Sequence, residues 1–210
     1  MKVLKEKISK HIKDNSILYI IILMSFMIGI ASGSFTINTL NDIQKENMMK
    51  YIDNFYVIIS QMKIIPIEVF KQSVLNNFET TFVLWLLGAT IIGIPFIFLV
   101  VGVRGFLLGF SIGFLINQLK YKGIIFALIA ILPQNILVLI SLFFISATCI
   151  NFSMYILKNR RFNINDLFSQ FVTYTLIIYS AFSLMIVGGV FEAYITPNIL
   201  YLLKNIIQLR

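Results

Sequence analysis

Acids, histidine, cysteine and proline are all scarce in this chain of 210 residues. It has 9 Asp and Glu together, one His, one Cys and 4 Pro. No acid lies between Glu79 and Asp166, and Glu192 is the only one after Asp166. Paired carboxylates for general acid–base work, a Ser-His-Asp triad and a His-rich metal centre therefore lack their parts. His11 sits in a Lys-rich N-terminal stretch and reads as solvated. Ser111, Ser141, Ser146 and Cys149 are potential nucleophiles inside apolar runs with no His among them, and a helical Ser more often bonds its own backbone. A lone Cys says nothing about disulfides. Neither a Walker A sequence nor a Gly-x-Gly-x-x-Gly between strand and helix occurs. The expectation is a protein without catalysis of its own and without a cofactor.

What is present is apolar. Hydrophobic residues make up 59% of the chain and charged ones 12%, with 20 Phe, whereas soluble domains run near 45–50% apolar and about 25% charged. The fold class this implies is all-α, a polytopic membrane bundle of about five transmembrane helices, some kinked or short. The net charge of +8 would suggest nucleic acid in a soluble protein. Here five Lys against two acids precede Ser16, and the rest of the excess sits at the ends of apolar runs. That pattern reads as membrane orientation and contact with anionic lipid headgroups, not as nucleic-acid binding.

Apolar runs place spans near residues 17–35, 82–103, 106–119, 123–150 and 171–190 in a single membrane domain. The first is too long for a signal-peptide core and reads as an uncleaved span, with residues 1–16 as a cytoplasmic tail. Residues 36–80 form an extracytoplasmic amphipathic segment. Within it Met48, Tyr51, Ile52, Phe55, Ile59 and Met62 fall at helical spacing, and after Pro66 so do Ile67, Phe70, Val74 and Phe78. Gly88, Gly93 and Pro95 imply a kink in the second span, whose Trp85 is expected in the outer aromatic belt. Residues 106–119 reach only about 21 Å as a helix, short for a crossing, so a re-entrant segment is an alternative. Lys158, Arg160 and Arg161 mark a cytoplasmic loop, and an odd number of spans puts the C-terminus outside.

Four places stand out as candidates. Gly105, Gly109 and Gly113 share one helix face and can let two backbones approach closely. Pro133 and Asn135 break a long apolar run, either as a structural kink or as a polar site. Glu192 directly follows an apolar span, where a carboxylate must be paired, hydrated or protonated. Arg104 is its natural counterpart, unless the two lie at opposite membrane surfaces.

The order of these features resembles the stage II sporulation protein M family of endospore-forming bacteria. The resemblance runs from the Lys-rich start through Leu75-Asn76-Asn77-Phe78, Leu87-Gly88-Ala89-Thr90-Ile91-Ile92-Gly93-Ile94-Pro95 and Arg104-Gly105-Phe106-Leu107-Leu108-Gly109-Phe110. It continues with Leu132-Pro133-Gln134-Asn135 and ends on Glu192-Ala193-Tyr194-Ile195-Thr196-Pro197. The last stretch is similar to the family's Glu-Ala-x-x-Thr-Pro signature and is the most specific piece. It marks Asn76, Asn77, Gly105, Pro133, Asn135, Glu192, Thr196 and Pro197 as motif positions. The resemblance implies a multi-pass protein of the sporulation septum and engulfing mother-cell membrane, needed for membrane migration around the forespore. Its implied role is a scaffold recruiting or anchoring the peptidoglycan-degrading stage II sporulation proteins D and P. The alternative reading from the residues is a transport or channel-like module with a polar path near Pro133, Asn135 and Glu192.

Overall fold

The computed structural model describes residues 13–50, 66–159 and 164–194. Its named elements are all helical: α1 (Ser16–Thr39), α2 (Pro66–Gly88), α3 (Gly93–Leu119), α4 (Tyr121–Phe126), a π-helical turn (Ala127–Ile131), α5 (Leu132–Lys158) and α6 (Ile164–Tyr194). Residues 42–50 add a further helical stretch, where Lys50 sits 2.8 Å from Glu46 and, by its hydrogen bond and charge, holds that carboxyl below its ordinary range. Most of the Lys-rich tail, the apolar stripe from Tyr51 to Met62, Arg160, Arg161, Thr196, Pro197 and the C-terminal tail lie outside the described residues.

Four helices are long and apolar enough to cross a membrane: Ser16–Thr39, Gly93–Gln118, Asn135–Lys158 and Asn165–Tyr194. The fifth long helix, α2, carries Glu68, Lys71, Gln72, Asn76, Asn77 and Glu79 in its first two thirds, yet packs alongside α3, α5 and α6. The all-α bundle expected from composition is therefore present, with different boundaries in the middle of the chain. The expected span over 82–103 is two helices, because the chain turns back between Gly88 and Gly93. The Thr90 amide donates to Leu87 O at 3.0 Å, and the Gly93 amide to Thr90 O at 3.3 Å. At Gly93 a Cβ would lie 2.5 Å from the carbonyl carbon of Leu87, so only glycine fits this turn. Pro95 then falls in the first turn of α3, where its missing N–H costs nothing. Residues 106–119 are correspondingly the second half of α3, not a short or re-entrant span.

Cross-helix contacts set the directions. Ser25 Oγ donates to Phe98 O at 2.7 Å and Ser34 Oγ to Gly109 O at 3.0 Å, so α1 and α3 run parallel. Ser153 Oγ of α5 caps Gly88 O at 2.8 Å and Thr90 O at 2.9 Å, which pins the far end of α5 to the α2–α3 turn. Trp85 Nε1 donates to Thr175 Oγ1 at 3.1 Å, and Ser73 pairs with Glu192, so α6 runs antiparallel to α2. One end of the bundle thus holds the starts of α1, α3 and α6. The other holds Thr39, Pro66, Leu119 and Tyr194. Trp85, expected near the outer surface, lies instead toward the end that holds the start of α1, because α2 enters from the opposite end.

Ile22, Leu84, Ile97, Val101, Leu142 and Ile145 are almost fully enclosed at the centre. Tyr174 stacks on Phe152 with centroids 4.3 Å apart, and its hydroxyl donates to Trp85 O at 2.8 Å. In lipid the hydrophobic effect gives no net drive to join helices, so close packing and interhelical hydrogen bonds hold these elements together.

Candidate functional site: a polar cluster inside the bundle

The residues that break the apolar pattern of the interior come from α5, as Ser141, Ser146, Thr148 and Ser153, and from α2. Ser73, Asn77, Thr81, Leu84 and Gly88 recur every three or four residues and form its buried edge. Three of these five are polar, an arrangement that water would not require and that lipid penalises unless partners are supplied. Ser73 Oγ donates to Glu192 Oε2 of α6 at 2.7 Å. Thr81 Oγ1 meets Met185 Sδ at 3.5 Å. Asn77, at 6% exposure, is enclosed one turn from Ser73.

Arg104 reaches the same helix from α3. Its Nη2 donates to Asn76 O at 2.9 Å and to Thr80 Oγ1, while Thr80 Oγ1 itself donates to Asn76 O at 3.0 Å. The neighbouring Gly105 packs on Phe26 of α1, the midpoint of the apolar run 17–35. Arg104 therefore lies at the middle depth of the bundle and not in a surface loop between two spans, which corrects its expected position. The helix continues through Arg104 because α2 offers its guanidinium a carbonyl and a hydroxyl. The carboxylates whose charge acts on it are those of Glu192 and Glu79. Among the described residues the one ion pair within 4.0 Å is Lys50–Glu46, so Arg104 is flanked by two acids without a direct bond to either.

Of the candidates singled out by sequence, Asn76, Asn77, Arg104 and Glu192 come together here. Gly105 and Gly109 lie on the other face of α3, where they meet the backbone of α1 at Phe26 and Ile30. Gly29 and Gly33 of α1 complete that seam against Gly102, Phe106 and Phe110. Pro133 and Asn135 begin α5. There the Asn135 Nδ2 donates to Ile131 O, one turn back in its own chain, at 2.8 Å. Thr196 and Pro197 lie outside the described residues. The residues missed in the sequence are Ser73, Glu79 and Thr80. Their spacing with Asn76 was legible as one polar side of a helix, but nothing local shows that Arg104 and Glu192 meet it.

Ser111 and Ser141 bond their own helices at Leu107 O and Leu137 O. Cys149 is buried, with the Tyr174 hydroxyl 3.4 Å from its sulfur. An open apolar groove of about 700 Å³ runs along α1 and α3 past Met24, Ser25, Gly29, Phe98 and Gly102, apart from Asn135 and Glu192. The chemistry the cluster offers is that of a joint: one cation, two carboxylates and several hydroxyl and amide groups linking α2 to α3 and α6.

A family model described as stage II sporulation protein M matches residues 22–197. No curated protein and no solved structure matches the chain.

Proposed function

The chain belongs to the stage II sporulation protein M family, and on that premise we propose that it is a non-enzymatic membrane scaffold for septal membrane migration and forespore engulfment. Family membership makes it a sporulation-related membrane protein. The finer reading is that it recruits or anchors the peptidoglycan-degrading stage II sporulation proteins D and P, at the sporulation septum and engulfing membrane. In this reading the segment between α1 and α2 faces the space where peptidoglycan is degraded, and the bundle supplies a fixed base for it.

The observation that supports this most is where the intramembrane polar groups go. Ser73, Thr80, Arg104 and Glu192 join helices, and Asn135 closes on its own chain. A base that must resist the pull of a bound partner needs α2 held at a fixed depth, and directional bonds do that better than apolar contact, which tolerates sliding. Deletion in the sporulating host, scored with a membrane dye and fluorescent fusions of the two hydrolases, tests the reading. Arrested septa with dispersed hydrolases are expected; correctly placed hydrolases would remove recruitment as its role.

The transport reading draws on a different fact: ionisable groups at mid-depth mark function more often than packing. It requires Glu192→Gln to abolish engulfment while the protein still inserts and its partners still localise. The scaffold reading expects Glu192→Gln to retain function, because an amide oxygen still accepts from Ser73.

A further inference from the structure

The outer face of α2 sets polar and charged groups beside the exposed apolar Leu75, Phe78 and Phe82. Gln72, Asn76, Glu79, Val83 and Leu86 are all exposed, and they follow one another at intervals of four, three, four and three. That is the spacing of a coiled-coil seam, distinct from the buried row Ser73, Asn77, Thr81, Leu84 and Gly88 that faces the bundle. Helix α2 therefore carries two packing edges, and among the described residues only one of them is filled.

The unfilled edge is polar at mid-depth. Glu79 adjoins Thr80, which Arg104 contacts, so the acid and the base lie at one level, beside the centre of α1. Neighbouring α3 shows lipid the apolar Leu99 and Val103. Among the described residues Glu79 has no hydrogen-bond or ion-pair partner, and Arg104 uses Nη2 alone of its three nitrogens. A carboxylate that feels the Arg104 charge but has no direct bond to it, and spare guanidinium donors beside acyl chains, are costly. One patch thus offers both signs of charge at the same depth.

We propose that two copies of this chain pair side by side in the membrane through the α2 seam, with Glu79 of each accepting from Arg104 of the other. Two copies inserted in the same direction are related by an axis along the membrane normal, so groups at equal depth meet. In such an isologous contact a patch holding an acid and a base satisfies both twice over. The amides of Asn76 and Gln72 stand about one and two turns above the charged level, toward the Pro66 end. Val83 and Leu86 close the seam below with apolar contact. A buried Asn at a seam position favours a parallel pair in fixed register. This pairing does not depend on the sporulation reading.

Two measurements on the full-length chain in membranes test it. In the first, Asn76→Cys and Val83→Cys are oxidised, with Leu99→Cys on lipid-facing α3 as control; the buried native Cys149 leaves the parent silent. Disulfide-linked dimers at the seam positions are expected to exceed the control by about fivefold or more, since seam residues face each other at each turn. In the second, a tagged Glu79→Arg copy is co-expressed with a differently tagged Arg104→Glu copy. Their homodimers oppose like charges and their heterodimer opposite ones, so heterodimer is expected in about tenfold excess over the statistical share. A statistical mixture would mean that Glu79 turns to Arg104 of its own chain, which overturns the exchanged pair. Seam cysteines that link no better than Leu99→Cys, or that link to another polypeptide, overturn the second copy as occupant. The cysteine series keeps the native charges and decides the seam even where a charge variant fails to insert.

Discussion

Replacing Gly109 by Ala, beside Gly102→Ala as its partner, tests whether backbone approach between α1 and α3 holds the first helix in place. Both glycines face α1, one and a half to two turns apart on the same helix, but their surroundings differ. A Cβ on Gly109 would lie 2.7 Å from Ile30 Cα and 2.8 Å from its carbonyl carbon. Non-bonded carbons settle at about 3.5–4.0 Å, so the helices must part by about 1 Å. Parting stretches the bonds of Ser25 to Phe98 O and Ser34 to Gly109 O, now 2.7 and 3.0 Å, beyond good geometry. Overpacking costs about 1–3 kcal/mol, and an interhelical bond in lipid contributes about 0.6 kcal/mol. Gly109→Ala is thus expected to cost about 2–4 kcal/mol in all. A Cβ on Gly102 meets Ser25 Oγ at 3.4 Å and Ser25 O at 3.6 Å, ordinary contact. Gly102→Ala should therefore be neutral, or gain slightly from the better helix propensity of Ala.

The single buried Cys149 makes the comparison measurable, because a thiol-reactive dye labels it only as the bundle opens. In detergent, Gly109→Ala should lower the unfolding midpoint by roughly 5–15 °C relative to Gly102→Ala, taking about 2–4 °C per kcal/mol for a chain of this size. Equal midpoints for the two variants would refute the argument from backbone approach. So would a Gly102→Ala variant that is as unstable as Gly109→Ala.

At the α2–α3 turn, a Cβ on Gly88 would sit 2.7 Å from Cys149 Cβ, so Gly88→Ala should push α5 away and raise maleimide labelling of Cys149 in intact membranes by about tenfold or more. Ser153→Ala removes the hydroxyl that caps both Gly88 O and Thr90 O and should cost about 1–2 kcal/mol in the same dye assay. Arg104→Met leaves Glu192 and Glu79 without their cation and should cost about 1–3 kcal/mol; a midpoint unchanged from the parent would show that Arg104 does not tie α3 to α2. Asn135→Ala, which loses one bond to Ile131 O, should change stability by no more than about 1 kcal/mol and leave engulfment intact in the sporulating host.

Apolar run length was enough to locate α1 and α6, whereas the run 123–150 takes in most of α4, the π-helical turn and only part of α5, which continues to Lys158. The α2–α3 turn was harder to read because Ile91 and Ile92 carry the apolar run through it. Hydropathy shows no gap there, and Gly88, Gly93 and Pro95 are as consistent with a kink as with a reversal. Placing one span over 82–103 then forced Arg104 into a loop, since a charge at the edge of an apolar run ordinarily marks a membrane surface. What lets α3 continue past it is the Asn76 carbonyl and the Thr80 hydroxyl, on a helix that ends before α3 begins. The polar side of α2 read as a surface feature for a related reason: its partners are remote. Ser73 and Glu192 are 119 positions apart, and no local pattern links them. The Gly105–Gly109 face was legible as a packing seam, and the four-residue spacing of Gly29 and Gly33 in α1 was an equally visible signal for its partner.

The helix that hydropathy ranks lowest is the one most tied to its neighbours by polar bonds, and there is a physical reason for the pairing of these two properties. Apolar helices in lipid are held by packing, which allows small changes of depth and rotation at little cost. A helix held through Ser73 to Glu192 and through Thr80 to Arg104 has no such freedom, because a shift of one turn would break both bonds. Arg104 and Glu192 thus fix α2 in depth as well as in contact. Helix α2 receives the chain from residues 40–65, so a load applied to that segment reaches the bundle through Pro66 as well as through Thr39 of α1. A polar helix there costs insertion energy but resists displacement along the membrane normal, which apolar packing alone does poorly. If the segment serves as an attachment point, as the scaffold reading holds, its anchor is expected to be polar. A conducting path would need no such fixed register on the side of the bundle where α2 lies.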